Sequence, residues 1–283
     1  MPNPEHRAAF RHANKATNDL KSLFDSALGS HAHPRGKIFR AYNVARKALD
    51  SNTSNQATVN QVTQELRATV TQAVTQALQE AQSIGVTQAQ SDLLTYGYQA
   101  GGYTGIPLGD ALAIIIAPLD AQIRALRSGR YTQASLLGDG QRFGLMVPTA
   151  VTAGAANWLT KATTETWATI VQTPIGIDNP EFVKQCIAGI DERTTRTCLR
   201  AHGQIQPLNQ DFHLTETPRY ADYLPNPPFH DRCRSVIALV LNTYADDELT
   251  QDMRRSAAIE REARGKASYT APHPTNALTR VRR

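Results

Sequence analysis

The sequence predicts a mainly α protein: a helical N-terminal region, then a small α+β domain with a short sheet, then a C-terminal helix and tail. Three patterns carry that prediction. Val59, Val62, Leu66, Val70, Val74 and Leu78 recur every three or four positions through "TVNQVTQELRATVTQAVTQAL", the period of one helix face. At Phe182 the period shortens: "FVKQCIAGI" alternates and is rich in β-formers, and "RSVIALVL" is an almost unbroken apolar run suited to a strand buried on both faces. After Tyr244, "DDELTQDMRRSAAIEREARGK" opens acidic and closes basic, as a helix dipole favours. The expected units are therefore residues 1–180, 181–243 and 244–283.

Taken in order, the N-terminal "MPNPEHRAAFRHANK" lacks the apolar centre of a signal peptide, so synthesis and retention in a cytoplasm are expected. The stripe from Val59 to Leu78 has a Gln/Thr-rich outer face and serves either as an internal packing seam or as a seam against another subunit. "YGYQAGGYTGIPLGD" holds five glycines without a phosphate-loop pattern, and reads as a loop. "ALAIIIAPL", Ala111 to Leu119, is about half the length needed to span a bilayer and reads as a buried helix bounded by Pro118. A further helix runs from Phe143 to Val171 with Pro148 near its start; Trp158 and Trp167, nine residues apart, cannot share one face of it. Pro174, Gly176 and Pro180 break the chain before the small domain. There, "GQIQPL" is the third strand candidate, and "LPNPPFHDRC" is too rich in proline for helix or interior strand, so it is a stiff lead-in presenting Phe229, His230 and Cys233. The tail "SYTAPHPTNALTRVRR" is polar and basic, and is expected to order only on a partner.

Charge and cysteine content narrow the function. The 283 residues carry a formal charge of +5, with nine Lys or Arg against four Asp or Glu in residues 1–50 and eight against six in residues 241–283. Basic ends suit contact with nucleic acid or an acidic protein surface, or are simply solvated faces. Three cysteines, Cys186, Cys198 and Cys233, are too few and odd in number for a disulfide framework.

The chemistry-bearing residues cluster between Asp191 and Cys233. Cys198 and His202 stand one helical turn apart in "CLRAH", and His230 and Cys233 are three apart in "HDRC". Together they form a candidate Cys2His2 set of the sulfur and nitrogen ligands zinc prefers, a possible structural zinc site. Alternatively Cys198 is plain core, or a thiol nucleophile with His202 or His230 as base and Asp191 as orienter; an open metal site would use Glu192 or Asp231 as general base. Asp191 also reads as the N-cap of a short helix, Gly203 as its left-handed C-terminal cap, and Arg193 and Arg234 as partners of a carboxylate such as Asp191 or Asp231.

These residues carry a resemblance. "FVKQCIAGIDERTTRTCLRAHGQIQPL", followed after an insert by "PPFHDRCRSVIALV", is similar to the phage Mu F-like family of head morphogenesis proteins, also called minor capsid or minor head proteins. Asp191, Arg193, Thr194, Cys198, Gly203, Pro227, Pro228, His230, Cys233 and Arg234 occupy the positions of its pattern: strand, D-x-R-T, Cys, Gly, then PPxHPxCR and a last strand. Cys186 stands where the family often has an aromatic, Asp231 replaces a proline, and Ser235 replaces the second cysteine of a CRC ending. Zinc here would therefore depend on His202 as a ligand.

The resemblance implies a virion protein of a tailed phage or prophage, assembled in the host cytoplasm and placed at the portal vertex, without catalytic activity. It would be needed for head assembly or for DNA packaging or ejection. Its expected partners are the portal protein, possibly major capsid or scaffold protein, and DNA without sequence preference; no membrane contact is expected. The helical first 180 residues, outside the pattern, would supply the partner-binding surface. The competing expectation is a metal- or cysteine-dependent enzyme, a nuclease, peptidase or toxin-like module built on Cys198, His202, His230 and Cys233.

Overall fold

The computed structural model describes residues 3–28, 36–51, 56–101, 105, 107–127, 140–215, 221–230 and 232–266. Among these are seven α-helices and five short strands, and the fold is mainly α as the periodicities predict. No helix among them is long and apolar enough to cross a membrane. The basic tail after Lys266 and Asp231 lie outside the described residues.

Helix α1 (Pro4–Leu23) starts on Asn3, whose side chain caps the Glu5 N–H at 2.9 Å, and runs on into a π turn at Phe24–Leu28. It buries Leu20 together with Ala9, Ala13 and Ala16, small residues that admit close approach. Helix α2 spans Lys37–Ser51, and α3 (Gln56–Thr95) is the spine, 40 residues or about 60 Å long. Its stripe is consumed internally: Val59, Leu66, Val70, Val74 and Leu78 are buried and Val62 packs half-buried against the core formed with α1, α2 and the two helices that follow. At Gly85 the spine touches its neighbour so closely that a Cβ would stand 2.4 Å from the Thr163 carbonyl oxygen.

Helix α4 (Gly109–Arg127) contains "ALAIIIAPL", but buries only one side of it. Ala111, Ile115, Ile116 and Leu119 face inward, whereas Ile114 is 59% exposed. Pro118 lies inside the helix instead of bounding it. The carbonyl left without its donor is that of Ile114, on the exposed side where water can serve it. Helix α5 (Gly140–Ile175) also continues through Pro148. Trp167 on it is fully buried and Trp158 half-buried, in keeping with their different faces. Thr152, Thr160, Thr163, Thr164 and Thr166 of α5 are all buried, a face that composition alone would assign to solvent.

Gly176, with φ +83°, turns the chain into the sheet. Strands β1 (Phe182–Ile187), β2 (Ile205–Pro207) and β5 (Val236–Leu241) form a three-stranded antiparallel sheet in the order β2-β1-β5, with Gln185 opposite both Ile205 and Ala238. Helix α6 (Arg196–Ala201) connects β1 to β2; β3 (Phe212–His213) and β4 (Tyr223–Leu224) form a separate small ladder. Both faces of the sheet are covered. Val183, Ile187, Val236, Ala238 and Val240 join the core of the N-terminal helices, while Phe182, Cys186, Ile237 and Leu239 join a second core with Leu93, Trp167, Phe212 and Phe229. The composition break near residue 180 is a turn in the chain, and the hydrophobic core runs across it.

The free edge of β5 is closed by side chains of α3 and of the turn that follows it, at four-residue spacing. Gln88 Nε2 donates to the Ile237 carbonyl at 2.6 Å, Asp92 Oδ2 accepts from the Leu239 N–H at 3.2 Å, and the Tyr96 hydroxyl donates to the Leu239 carbonyl at 3.3 Å. This satisfies edge groups that would otherwise template pairing with another chain. Asp92 is fully buried and also takes the Trp167 indole N–H at 2.9 Å and His12 at 3.2 Å; burial raises its carboxyl above the ordinary range against those bonds. On the other side, His6 of α1 is sealed between Asp247 (2.6 Å) and Gln185 (2.8 Å) and stacks on Tyr244 at 5.0 Å. Helix α7 (Glu248–Lys266) then packs against α6, burying Met253 and Ala257.

Candidate metal centre

The site is assembled where β1 ends, α6 begins and the proline-rich segment before β5 comes back against α5. Between β1 and α6 the chain makes a tight turn: Asp191 Oδ1 accepts from the Arg193 N–H at 2.9 Å, and the Asp191 N–H donates to Thr194 Oγ1 at 2.8 Å. Thr194 Oγ1 in turn donates to the Gly189 carbonyl at 2.5 Å. The helix cap is Thr195, whose side chain accepts from the Cys198 N–H, so the N-cap role expected of Asp191 falls four residues later. The reason is length: the chain needs a full turn after Ile187 before α6 can start.

Closing that turn leaves the Asp191 carboxylate facing outward from the helix. Arg234 grips it with two parallel bonds, 2.8 and 2.7 Å, and Lys21 of α1 adds a contact at 3.2 Å. Those bonds, Arg234's first, hold the Asp191 carboxyl well below the usual carboxylate range despite its partial burial. Arg193 contributes its backbone N–H to Asp191 and sends its guanidinium to Asp25 at 3.3 Å. From α7, Arg264 donates to the backbone carbonyls of Asp191, at 2.6 Å, and Thr194.

Cys198 lies one turn into α6, but His202 is already outside it, with extended backbone at φ −58°, ψ 124°. The one-turn spacing therefore does not place the two on a common face. His202 Nδ1 accepts the Ala188 N–H at 2.9 Å, and burial holds its pKa down to about 4, so the ring is neutral. Gly203 follows with φ +77°, donates its N–H to the Cys186 carbonyl at 2.9 Å, and leaves 3.1 Å between a would-be Cβ and Met253 Cβ. This is the left-handed cap the sequence predicts.

The second half of the site is hung from α5. Two threonines one turn apart take the loop's carbonyls, Thr164 binding Pro227 at 2.8 Å and Thr160 binding Cys233. Pro227 and Pro228 are joined by a cis peptide bond. Phe229 is buried edge-on to Phe212, and Lys184 of β1 reaches the Pro225 carbonyl at 2.6 Å, its pKa lowered to about 8 by burial. The Cys233 N–H closes a turn on the His230 carbonyl at 3.2 Å.

This brings His230 and Cys233 to Cys198. Cys198 Sγ lies 2.8 Å from His230 Nε2 and 3.6 Å from Cys233 Sγ, and the three ligand atoms all fall within 4.8 Å of one another. Three of the four ligands expected from sequence thus meet; His202 does not join them. Cys186, buried at the back of β1, is not a member either. The chemistry fits zinc: two sulfurs and an imidazole nitrogen, with a sulfur separation near the roughly 3.8 Å expected for two thiolates on one tetrahedral ion. Burial pushes the Cys198 thiol up. Cys233 goes the other way: burial would raise it too, but the bond from Cys198 and the charge and bond of His230 outweigh that, so its thiolate is favoured. The Asp191 carboxylate is tied to Arg234 and Lys21, and the Cys198 sulfur sits on a residue 3% exposed.

Cys198 and His230 line the wall of a small hollow of about 10 Å³, together with Gly189, Thr194, Arg193, Arg232, Arg234 and Ser235. Ser235 is buried, and its hydroxyl turns to the Cys198 sulfur, where a hydrogen bond favours the thiolate. The polar residues that sequence reasoning missed are the α5 threonines and the series Gln88, Asp92 and Tyr96 at and just beyond the end of α3. Their only sequence signal is the four-residue spacing of the latter. No family model, curated protein or solved structure matches the chain. The resemblance to the Mu F-like family therefore rests on the residues quoted for it.

Proposed function

We propose that this chain is a structural minor head protein of a tailed phage or prophage, acting at the portal vertex in head assembly or in DNA packaging or ejection, with no catalytic activity. We further assign to Cys198, His230 and Cys233 a zinc ion with a framework role. The observation that carries this reading is that the residues of the resemblance take up linking duties around one node. Asp191 and Arg234 bracket the turn before α6 to the lead-in of β5, Thr194 ties the turn, Gly203 caps α6 against α7, and Cys198, His230 and Cys233 meet between them. Zinc on such a set joins segments that are distant in sequence, which stabilises a small sheet directly.

The partner surface we assign to the basic outer face of α1 and α2. Arg7, Arg11 and Lys15 follow one another at four-residue spacing on the exposed side of α1, with Lys37, Arg40, Arg46 and Lys47 exposed on α2. The Val59–Leu78 stripe, buried against the protein's own helices, is not available for that role. The test is co-purification with the portal protein encoded beside it, and binding to duplex DNA at rising salt. Arg7→Glu with Arg11→Glu and Arg40→Glu is expected to weaken both, and DNA affinity of the native chain is expected to fall steeply with salt. Unchanged portal and DNA binding in the triple variant, with helicity intact, refutes this surface; failure of the native chain to bind portal at all refutes the function.

A further inference from the structure

We propose that the outer face of α4 is the contact through which two copies of this chain pair, antiparallel about a two-fold axis at Ala117. Helix α4 lays one side on α3 and α5 and turns the other outward. An outward helix face ordinarily carries charge, as that of α1 does with Arg7, Arg11 and Lys15. Between Asp110 and Arg124 the exposed positions of α4 are instead Ala113, Ile114, Ala117 and Ala121, with Pro118 half-buried beside them. Ile114, 59% exposed, is the large apolar side chain among them. At 3.6 residues per turn, these four residues, Asp110 and Arg124 all point within about 60° of the Ala117 direction, so they make up one face. An apolar face of this kind, closed by a charge at each end, marks a contact with another protein surface.

The order of residues along the face identifies that surface as its own copy. Ala117 stands at the centre, seven residues from Asp110 on one side and seven from Arg124 on the other, with Ala113 and Ala121 flanking it at four residues each. Turned end for end, the face therefore meets itself with alanine against alanine and acid against base. Each Asp110 comes opposite the Arg124 of the other copy, about 10 Å along the helix from the axis. Both side chains are exposed, and among the described residues neither is held by an ion pair. The other two charges described on α4 are engaged within the chain: Asp120 takes Arg67 at 2.7 Å, and Arg127 donates to Thr63 Oγ1 at 3.1 Å and to the Asn60 carbonyl at 3.3 Å. Alanine at four-residue spacing lets the two helices approach to roughly 8 Å, the close end of helix packing, and Ile114 of each copy then seats over Ala121 of the other. Antiparallel pairing also sets the two helix dipoles against each other favourably. A contact of this type is self-complementary and closes at two copies, whereas a different partner would place no demand of symmetry on the face.

The test is sedimentation of the full chain across the micromolar range. The native chain is expected to pass from one copy to two as concentration rises. Ala117→Glu, at an exposed helical position, is expected to keep native circular dichroism and to weaken pairing roughly a hundredfold, because two carboxylates then meet on the axis. Asp110→Arg sets arginine against arginine at both ends and is expected to weaken pairing about tenfold; adding Arg124→Asp exchanges the charges and is expected to restore it. A native chain that stays single at every concentration overturns the proposal. If portal protein then binds the native chain but not Ala117→Glu, the face belongs to that partner instead. Pairing that Ala117→Glu leaves unchanged places the contact elsewhere, and a double variant no better than Asp110→Arg alone overturns the antiparallel register.

Discussion

Acidification from pH 7 to pH 4 should destabilise this protein through His202 in particular. Buried on a residue 5% exposed, its ring is held neutral, and its pKa falls from 6.5 to about 4 because burial penalises the charged form. The unfolded chain therefore binds more protons than the folded one between those values, so the contribution is fully present above pH 6.5 and is lost as pH falls toward 4. At roughly 1.36 kcal/mol for each tenfold change in proton affinity, the effect is about 3 kcal/mol. With an unfolding entropy of roughly 2.1 cal/mol/K per residue over the 283 residues, that corresponds to about 5 °C in Tm. His202→Asn supplies an acceptor for the Ala188 N–H without a titrating ring. Urea unfolding of the native chain and the variant across this range should show two curves that converge as pH falls, the variant losing about 3 kcal/mol less. Parallel curves would mean that His202 is not held as a neutral acceptor, and a variant that loses its zinc would mean that it is a ligand after all.

Other outcomes follow from the same geometry. Zinc near one per chain should survive dialysis in the native protein and in His202→Asn, and be lost in Cys198→Ser and His230→Ala, as elemental analysis will read directly. Gly85→Ala should cost about 3 kcal/mol in denaturant unfolding, since its Cβ would sit 2.4 Å from the Thr163 carbonyl oxygen and α3 and α5 must part. Gly97→Ala, at φ +78° with nothing within 4 Å, should cost only about 1 kcal/mol of backbone strain. Lys184 is held down to about 8 by burial, so the folded state binds fewer protons between pH 8 and 10.5 and stability should rise with pH across that window. Lys184→Met should flatten the rise, and a native chain with no such rise would refute the burial of the ammonium.

Much of the framework was legible because it is written in local period. The stripe from Val59 to Leu78, the runs at Phe182 and Val236, the left-handed turn at Gly203 and the charge order of the last helix each reflect the backbone geometry of a few neighbouring residues. Pro118 was misleading for a physical reason: proline removes one donor, and a long helix tolerates the loss where water can replace it. The buried threonines of α5 were invisible because a hydroxyl that bonds the carbonyl one turn back, as Thr163 and Thr164 do, can enter a core.

The sequence by itself determined the helix and strand content, the break near residue 180, and a set of cysteines and histidines from which a metal site could be drawn. Which of them meet was decided only in three dimensions. Helix α6 ends one residue before His202, so that ring turns to Ala188, while Thr160 and Thr164 of a distant helix hold the loop that delivers His230 and Cys233 to Cys198. Of the two roles the sequence offered Asp191, helix N-cap and partner of Arg234, it takes the second, because a turn of its own length precedes the helix. Period is a property of adjacent residues, whereas a ligand set depends on where separate segments stop and what grips their carbonyls.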